Sequence, residues 1–251
     1  MQSISLLGVG IQAIASLVVG LRLASLARRT RRFPELALSL TTLLGTVFGY
    51  PLGLLAIALE RAGLPGVAPV FFIAASVMMT GVSMNYFFTW RVFRQNAPFA
   101  VVLCGLGVWL LFSPIGAVVV HISRYGIDGG IQNSPVWVAM AVGAVLGGYV
   151  WTASESFRYY LTSRRQLRLG LIEPTVSNRF LLWSLASACF LAIALTAGIG
   201  VQLGHDPLQS AGFSLAVGAL GLVNSACNVL CFLPPQWYLD WVSRPRAAVG
   251  A

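Results

Sequence analysis

The side chains able to do chemistry in this 251-residue chain are few, and the most telling lie in sequence that is otherwise apolar. In YVWTASESFRYYL, Trp151, Glu155 and Tyr159 recur at i, i+4 and i+8, which places them on one face of a helix. Arg158 follows Glu155 by three residues, the spacing of an intrahelical ion pair. A carboxylate withdrawn into lipid is costly, so a buried Glu155 would bridge helices or bind something. The second reading has Glu155 and Arg158 snorkelling to the headgroups, with the aromatic rings as interfacial anchors. Asn85, Asn224 and Asn228 fall at comparable depth, the last two again at i, i+4. An asparagine among acyl chains seeks another helix, so the set Asn85, Glu155, Arg158, Asn224 and Asn228 reads either as interhelical glue, on the order of 1 kcal/mol per bond, or as a two-state latch near one membrane face.

A second group gathers at the opposite face. Tyr50, Phe71, Phe72, His121, Tyr125, Trp137 and His205 lie near the ends of apolar runs, beside the segment SRYGIDGGIQNSPVW, read here as the longest loop on that side. They form either an aromatic belt or the lining of a pocket for a small amphipathic ligand, with Tyr50, Phe72, His121, Trp137 and His205 as its contacts. Two histidines, one near a helix end and one in a loop, are not expected to hold haem or a metal. Cys104, Cys189, Cys227 and Cys231 all fall inside apolar runs, where they read as packing residues and not as a disulfide framework. Cys227 and Cys231 share a helix face, but no third ligand lies nearby in sequence, so no metal is expected. HExxH, GxSxG and Walker patterns are absent, and seven scattered carboxylates offer no acid–base pair. Neither enzyme activity nor a cofactor is expected.

The elements that must position these residues are membrane helices. The chain is 57% hydrophobic and 9% charged, the balance of a protein whose surface meets lipid. About 20 apolar residues cross the hydrocarbon layer, and seven such runs are predicted near residues 4–26, 35–59, 67–90, 98–121, 136–162, 179–203 and 211–233. The expected fold is an all-α, polytopic, seven-transmembrane-helix bundle occupying 1–233, followed by a short interfacial amphipathic segment and basic tail at 234–251. The first run has its arginines after it and not before, so it is expected to stay as an anchor and not to be cleaved.

All sixteen basic residues are arginine. Without a lysine the chain cannot carry retinal as a Schiff base, which removes the rhodopsin reading of seven helices. The net charge of +9 comes from arginines at helix ends, so lipid headgroups and not nucleic acid explain it. Arg22, Arg28, Arg29, Arg31, Arg32, Arg91, Arg94, Arg164, Arg165, Arg168, Arg179, Arg244 and Arg246 fall on one side by the count of crossings, and only Arg61 and Arg124 on the other. The bias sets the N-terminus outside and the C-terminus inside, in a multi-pass protein of a bacterial inner membrane.

Pro51 and Pro114 interrupt predicted spans and are expected to kink them, as hinges or as static bends. An internal 3+1+3 repeat is suggested by laying SMNYF from Ser83 on ACNVL from Ala226, which matches Asn85 with Asn228. The last span ends in CFLPPQWYLDWVSRPR, where Pro234 and Pro235 stop the helix and Trp237, Tyr238 and Trp241 suit a short helix in the inner interface. Seven spans closed by a PP-W segment and a basic end resemble the membrane sensor modules found ahead of bacterial histidine kinases and related signalling proteins. The resemblance implies a receptor-like module that binds a small ligand from outside and relays a helix shift inward. No output domain follows Ala251 here, so a separate cytoplasmic partner, or a homo-oligomer, is expected to carry the signal. The alternative is a small-solute transporter built from three-helix repeats around a midplane site.

Overall fold

The computed structural model describes residues 2–202 and 211–243. His205, Arg244 and Arg246 lie outside the described residues. Among those described the secondary structure is helical: α1 Gln2–Thr30, α2 Phe33–Arg61, α3 Val67–Phe93, α4 Pro98–Gln132, α5 Pro135–Arg168, α6 Pro174–Gln202, α7 Ala211–Phe232 and α8 Gln236–Ser243. The first seven each hold a stretch long and apolar enough to cross a membrane. The protein is therefore an all-α, multi-pass membrane protein. Prolines mark the starts, within the first two residues of α2, α4, α5 and α6, where a fixed φ is pre-organised for a helix and the missing N–H is not needed.

One expectation is corrected. The segment SRYGIDGGIQNSPVW is not an open loop: α4 continues through it to Gln132 and breaks only at Gly126, whose φ of 74° and ψ of −178° interrupt the helix. The break is held by a carboxylate from α2, a contact 67 residues away in sequence and therefore without local trace. Pro51 is preceded by a π-helical stretch, Leu43–Gly49, inside α2. Widening that turn relieves the conflict between the proline ring and the carbonyl of Val47, so the strain is absorbed upstream of the proline. Around Pro114 the dihedral angles of α4 remain helical.

Compactness divides the chain into two units, one made of 1–15 and 152–251, the other of 16–151. Both boundaries fall inside spans, within α1 and α5, so this division does not follow a 3+1+3 pattern.

The unit 16–151 has its core between α3, α4 and the first half of α5, built on Met79, Val82, Tyr86, Cys104, Leu111, Ile115 and Trp151. Helices α2 and α3 meet through small residues. A methyl group placed on Gly81 would stand 2.6 Å from the backbone nitrogen of Gly45, and one on Gly49 would stand 2.9 Å from Cβ of Met78. Such close backbone approach is how helices gain van der Waals contact in lipid, where apolar burial gives little driving force. The hydroxyl of Ser39 donates to the carbonyl of Gly20 at 2.9 Å, fastening α1 to α2.

The unit 1–15 and 152–251 packs α6 on α7 and carries α8 against α6. On both units many large apolar side chains are exposed, Ile14, Val102, Trp109 and Leu215 among them, as the surface of a protein solvated by acyl chains requires.

The arginine bias gives an orientation with a direct check. In a full-length variant whose four buried cysteines are replaced, Q132C is expected to react with an impermeant thiol reagent in intact cells and R168C only after the membrane is opened. The reverse pattern would invert the topology.

Candidate functional site

The polar candidates of the unit 1–15 and 152–251 collect along the second half of α5 and the helices packed on it. Glu155 is buried, as are Thr152 and Ser156 on either side of it. Glu155 Oε1 lies 3.9 Å from Nη1 of Arg158, whose side chain is 67% exposed. The pair thus runs from interior to surface, with the carboxylate inside. Of the other two residues on that face, Trp151 is buried and Tyr159 is exposed.

Hydrogen bonds tie the neighbouring helices together. Ser184 donates to the carbonyl of Ala153 at 3.1 Å, and the Ser163 hydroxyl donates to that of Ser177 at 3.0 Å in a buried contact, so α5 and α6 form an antiparallel hairpin. The rings of Tyr159 and Phe180 pack across it, 5.7 Å apart. Asn224 reaches from α7 to the carbonyl of Ala186 on α6 at 3.1 Å, and Asn228 donates to Asn224 Oδ1 at 2.5 Å. These two asparagines therefore act as a pair, one crossing to the next helix and the other orienting it. Asn85 is buried on α3 and belongs to the other unit. Asn178 donates to the hydroxyl of Tyr238, which seats α8 on the start of α6. Burial pushes the Tyr238 hydroxyl up from its ordinary pKa, and the Asn178 bond opposes that shift only in part, so the seat is a neutral phenol at physiological pH.

Length decides what this arrangement can reach. The 34 residues of α5 rise about 51 Å, against about 30 Å of hydrocarbon. Counted from Trp137, the roughly 20 residues that cross the hydrocarbon would end near Phe157. Arg164, Arg165 and Arg168 fall beyond that point and are exposed, with Arg164 lying 5.8 Å over the Tyr160 ring. The hairpin tip presents Leu169 and Leu171, 73% and 68% exposed. On α8, Trp237 and Trp241 are exposed at i, i+4 while Tyr238 is buried. The arginine-rich face of this unit therefore offers charge and apolar side chains together.

The aromatic candidates belong to the unit 16–151. Tyr50, Phe72 and Trp137 each keep more than a third of their surface exposed. His121 is half-buried, its Nδ1 2.8 Å from the carbonyl of Ala117 and its ring stacked on Tyr125. Among the described residues no three of His, Cys, Asp and Glu stand close enough to hold a metal.

No family model, curated protein or solved structure matches the chain. The functional reading rests on the residues alone.

Three features escaped the sequence reading. Tyr86 fills a slot cut by glycines from two other helices, Ser163 pairs with Ser177, and Glu60 meets the break at Gly126. The spacing of glycines at 147 and 148 was the one local sign of the first; serines are too common in membrane helices to have flagged the second.

Glu155 is open to a direct comparison. Glu155→Gln alters a buried carboxyl group, and is expected to change stability by about 1–2 kcal/mol. Glu173→Gln, on an exposed turn, should stay within about 0.5 kcal/mol. Thermal unfolding in lipid nanodiscs measures both, and equal, negligible shifts would restore the snorkelling reading.

Proposed function

We propose that this protein is a receptor-like seven-span sensory module of a bacterial inner membrane, which takes a small amphipathic ligand at the face bearing Tyr50, Phe72, His121 and Trp137 and relays a helix displacement to a cytoplasmic partner. The observation that carries the reading is the α5–α6 hairpin. It continues past the hydrocarbon, is closed by the buried Ser163–Ser177 bond, and ends in exposed leucines among arginines. A surface of that composition suits an acidic partner segment with apolar side chains. Glu155 and Arg158 lie on the helix that leads to it, and Asn224 of α7, paired with Asn228, bonds across to α6, where a small displacement changes which hydrogen bonds are made.

The experiment has two stages. Purified protein in nanodiscs is screened for small amphipathic molecules that raise its melting temperature, with a fluorophore attached at R168C to report on the hairpin. A stabilising compound is expected to change the probe signal saturably and to lose its effect when Phe72 and Trp137 are replaced by alanine. Saturable uptake of that compound into proteoliposomes would overturn the sensory reading in favour of a transporter.

A further inference from the structure

The end of α4 opposite the arginine-rich face is broken at one residue and folded back on itself. A methyl group placed on Gly130 would stand 2.7 Å from the backbone nitrogen and Cα of Ile122. Eight residues of unbroken helix would separate those positions by about 12 Å. The fold-back depends on Gly126, whose φ of 74° with ψ of −178° belongs to a region open to glycine and closed to other residues. Breaking the helix there strips the N–H of Ile127 of its helical acceptor, the carbonyl of Ser123. The replacement is Glu60, in the last turn of α2, whose Oε1 accepts from Ile127 at 2.5 Å. A Cβ on Gly126 would overlap that same oxygen, so the carboxylate is seated against a bare Cα.

One N–H is thus contested by two acceptors. In the folded-back state it bonds to a carboxylate, and the bond is charge-assisted. In a straight helix it would bond to Ser123, and Gly126 reaches right-handed helical dihedrals as readily as the ones it holds. We infer that the Glu60–Gly126 contact is a charge-operated latch: the ionised carboxylate holds the end of α4 folded, and loss of its charge to a proton or a bound cation lets residues 126–132 straighten. The inference rests on the unit 16–151 alone and does not require the sensory reading. The other titratable groups on α2 and α4 at this end are Arg61, His121, Arg124, Tyr125 and Asp128. Residues 67–80 of α3 and 135–148 of α5 carry none, and Glu60 is the carboxylate that bonds the N–H at the break.

The test is a distance measurement on the full-length protein in nanodiscs, with spin labels at L64C and Q132C, both exposed positions, in a background without the native cysteines. The native chain at neutral pH is expected to give one distribution, and E60A one displaced by about 10 Å as the terminal segment swings out. E60Q keeps the shape and a weaker, neutral acceptor, so it should populate both. Acidification should carry the native chain towards the E60A distribution while leaving E60A itself unmoved. G126A, which cannot hold the break, should resemble E60A; if that variant does not fold, the comparison of E60A with the native chain still decides. An E60A distribution that coincides with the native one, or an acid response of equal size in E60A, would overturn the latch.

Discussion

Replacing Tyr86 with alanine is expected to lower stability by about 3–5 kcal/mol, the range for emptying an aromatic site in a packed core. The ring is buried on α3 and held on three sides within its unit. A methyl group on Gly148 of α5 would stand 2.7 Å from its Cε2, one on Gly107 of α4 would overlap it, and Trp151 lies 6.0 Å away, centroid to centroid. Its hydroxyl donates to the carbonyl of Ala144 at 2.6 Å. Tyr86→Ala therefore leaves a cavity where three helices meet, and the glycines that make room for the ring have no side chains to fill it. Tyr86→Phe removes only the hydrogen bond and is expected to cost about 1 kcal/mol. Melting followed by intrinsic fluorescence in nanodiscs separates the two, with a shift of about 10 °C or more expected for the alanine variant. Equal losses from both substitutions would mean that the hydroxyl, and not the ring, holds the site.

The second large effect is expected at Gly81, for the opposite reason. A Cβ there would meet the nitrogen of Gly45 at 2.6 Å and its Cα at 3.0 Å. Both are backbone atoms of α2, and no rotamer change can move them aside. Gly81→Val must therefore push α2 from α3 or deform the π-helical stretch between Leu43 and Gly49. Overpacking of this kind costs about 1–3 kcal/mol where neighbours can yield, and the unyielding backbone places this variant at or above the upper end. Gly53→Val is the control on α2. Nothing lies within 4 Å of a Cβ at Gly53, so its effect should stay within about 0.5 kcal/mol. Comparable destabilisation by both would show that α2 depends on glycine for its own conformation and not for its contact with α3.

Much of the architecture was open to reading because lipid as solvent imposes a local rule. A run of about 20 apolar residues must span, and its backbone must satisfy itself as a helix. The seven runs and the short helix after Pro234 and Pro235 follow from residues that are neighbours in sequence. The end of α4 did not follow, because its glycines argue for a loop until the carboxylate of Glu60 is available to take the N–H of Ile127. The candidate site divides in the same way. The spacing of Glu155 with Arg158 and of Asn224 with Asn228 was legible, since i, i+3 and i, i+4 pairs meet on any helix.

The sequence by itself determined the seven apolar helices long enough to cross a membrane and the all-helical class, because both depend on the transfer of short segments between water and lipid. Only the tertiary structure decided which glycines receive Tyr86, which serine closes the α5–α6 hairpin on Ser163, and which carboxylate holds the break at Gly126. Those contacts join different helices, the most distant across 67 residues. In a chain whose spans are almost uniformly apolar, hydrophobic pattern cannot say which face of a helix meets which neighbour; that choice is made by the fit of small residues to large ones and by the few polar groups that must find partners.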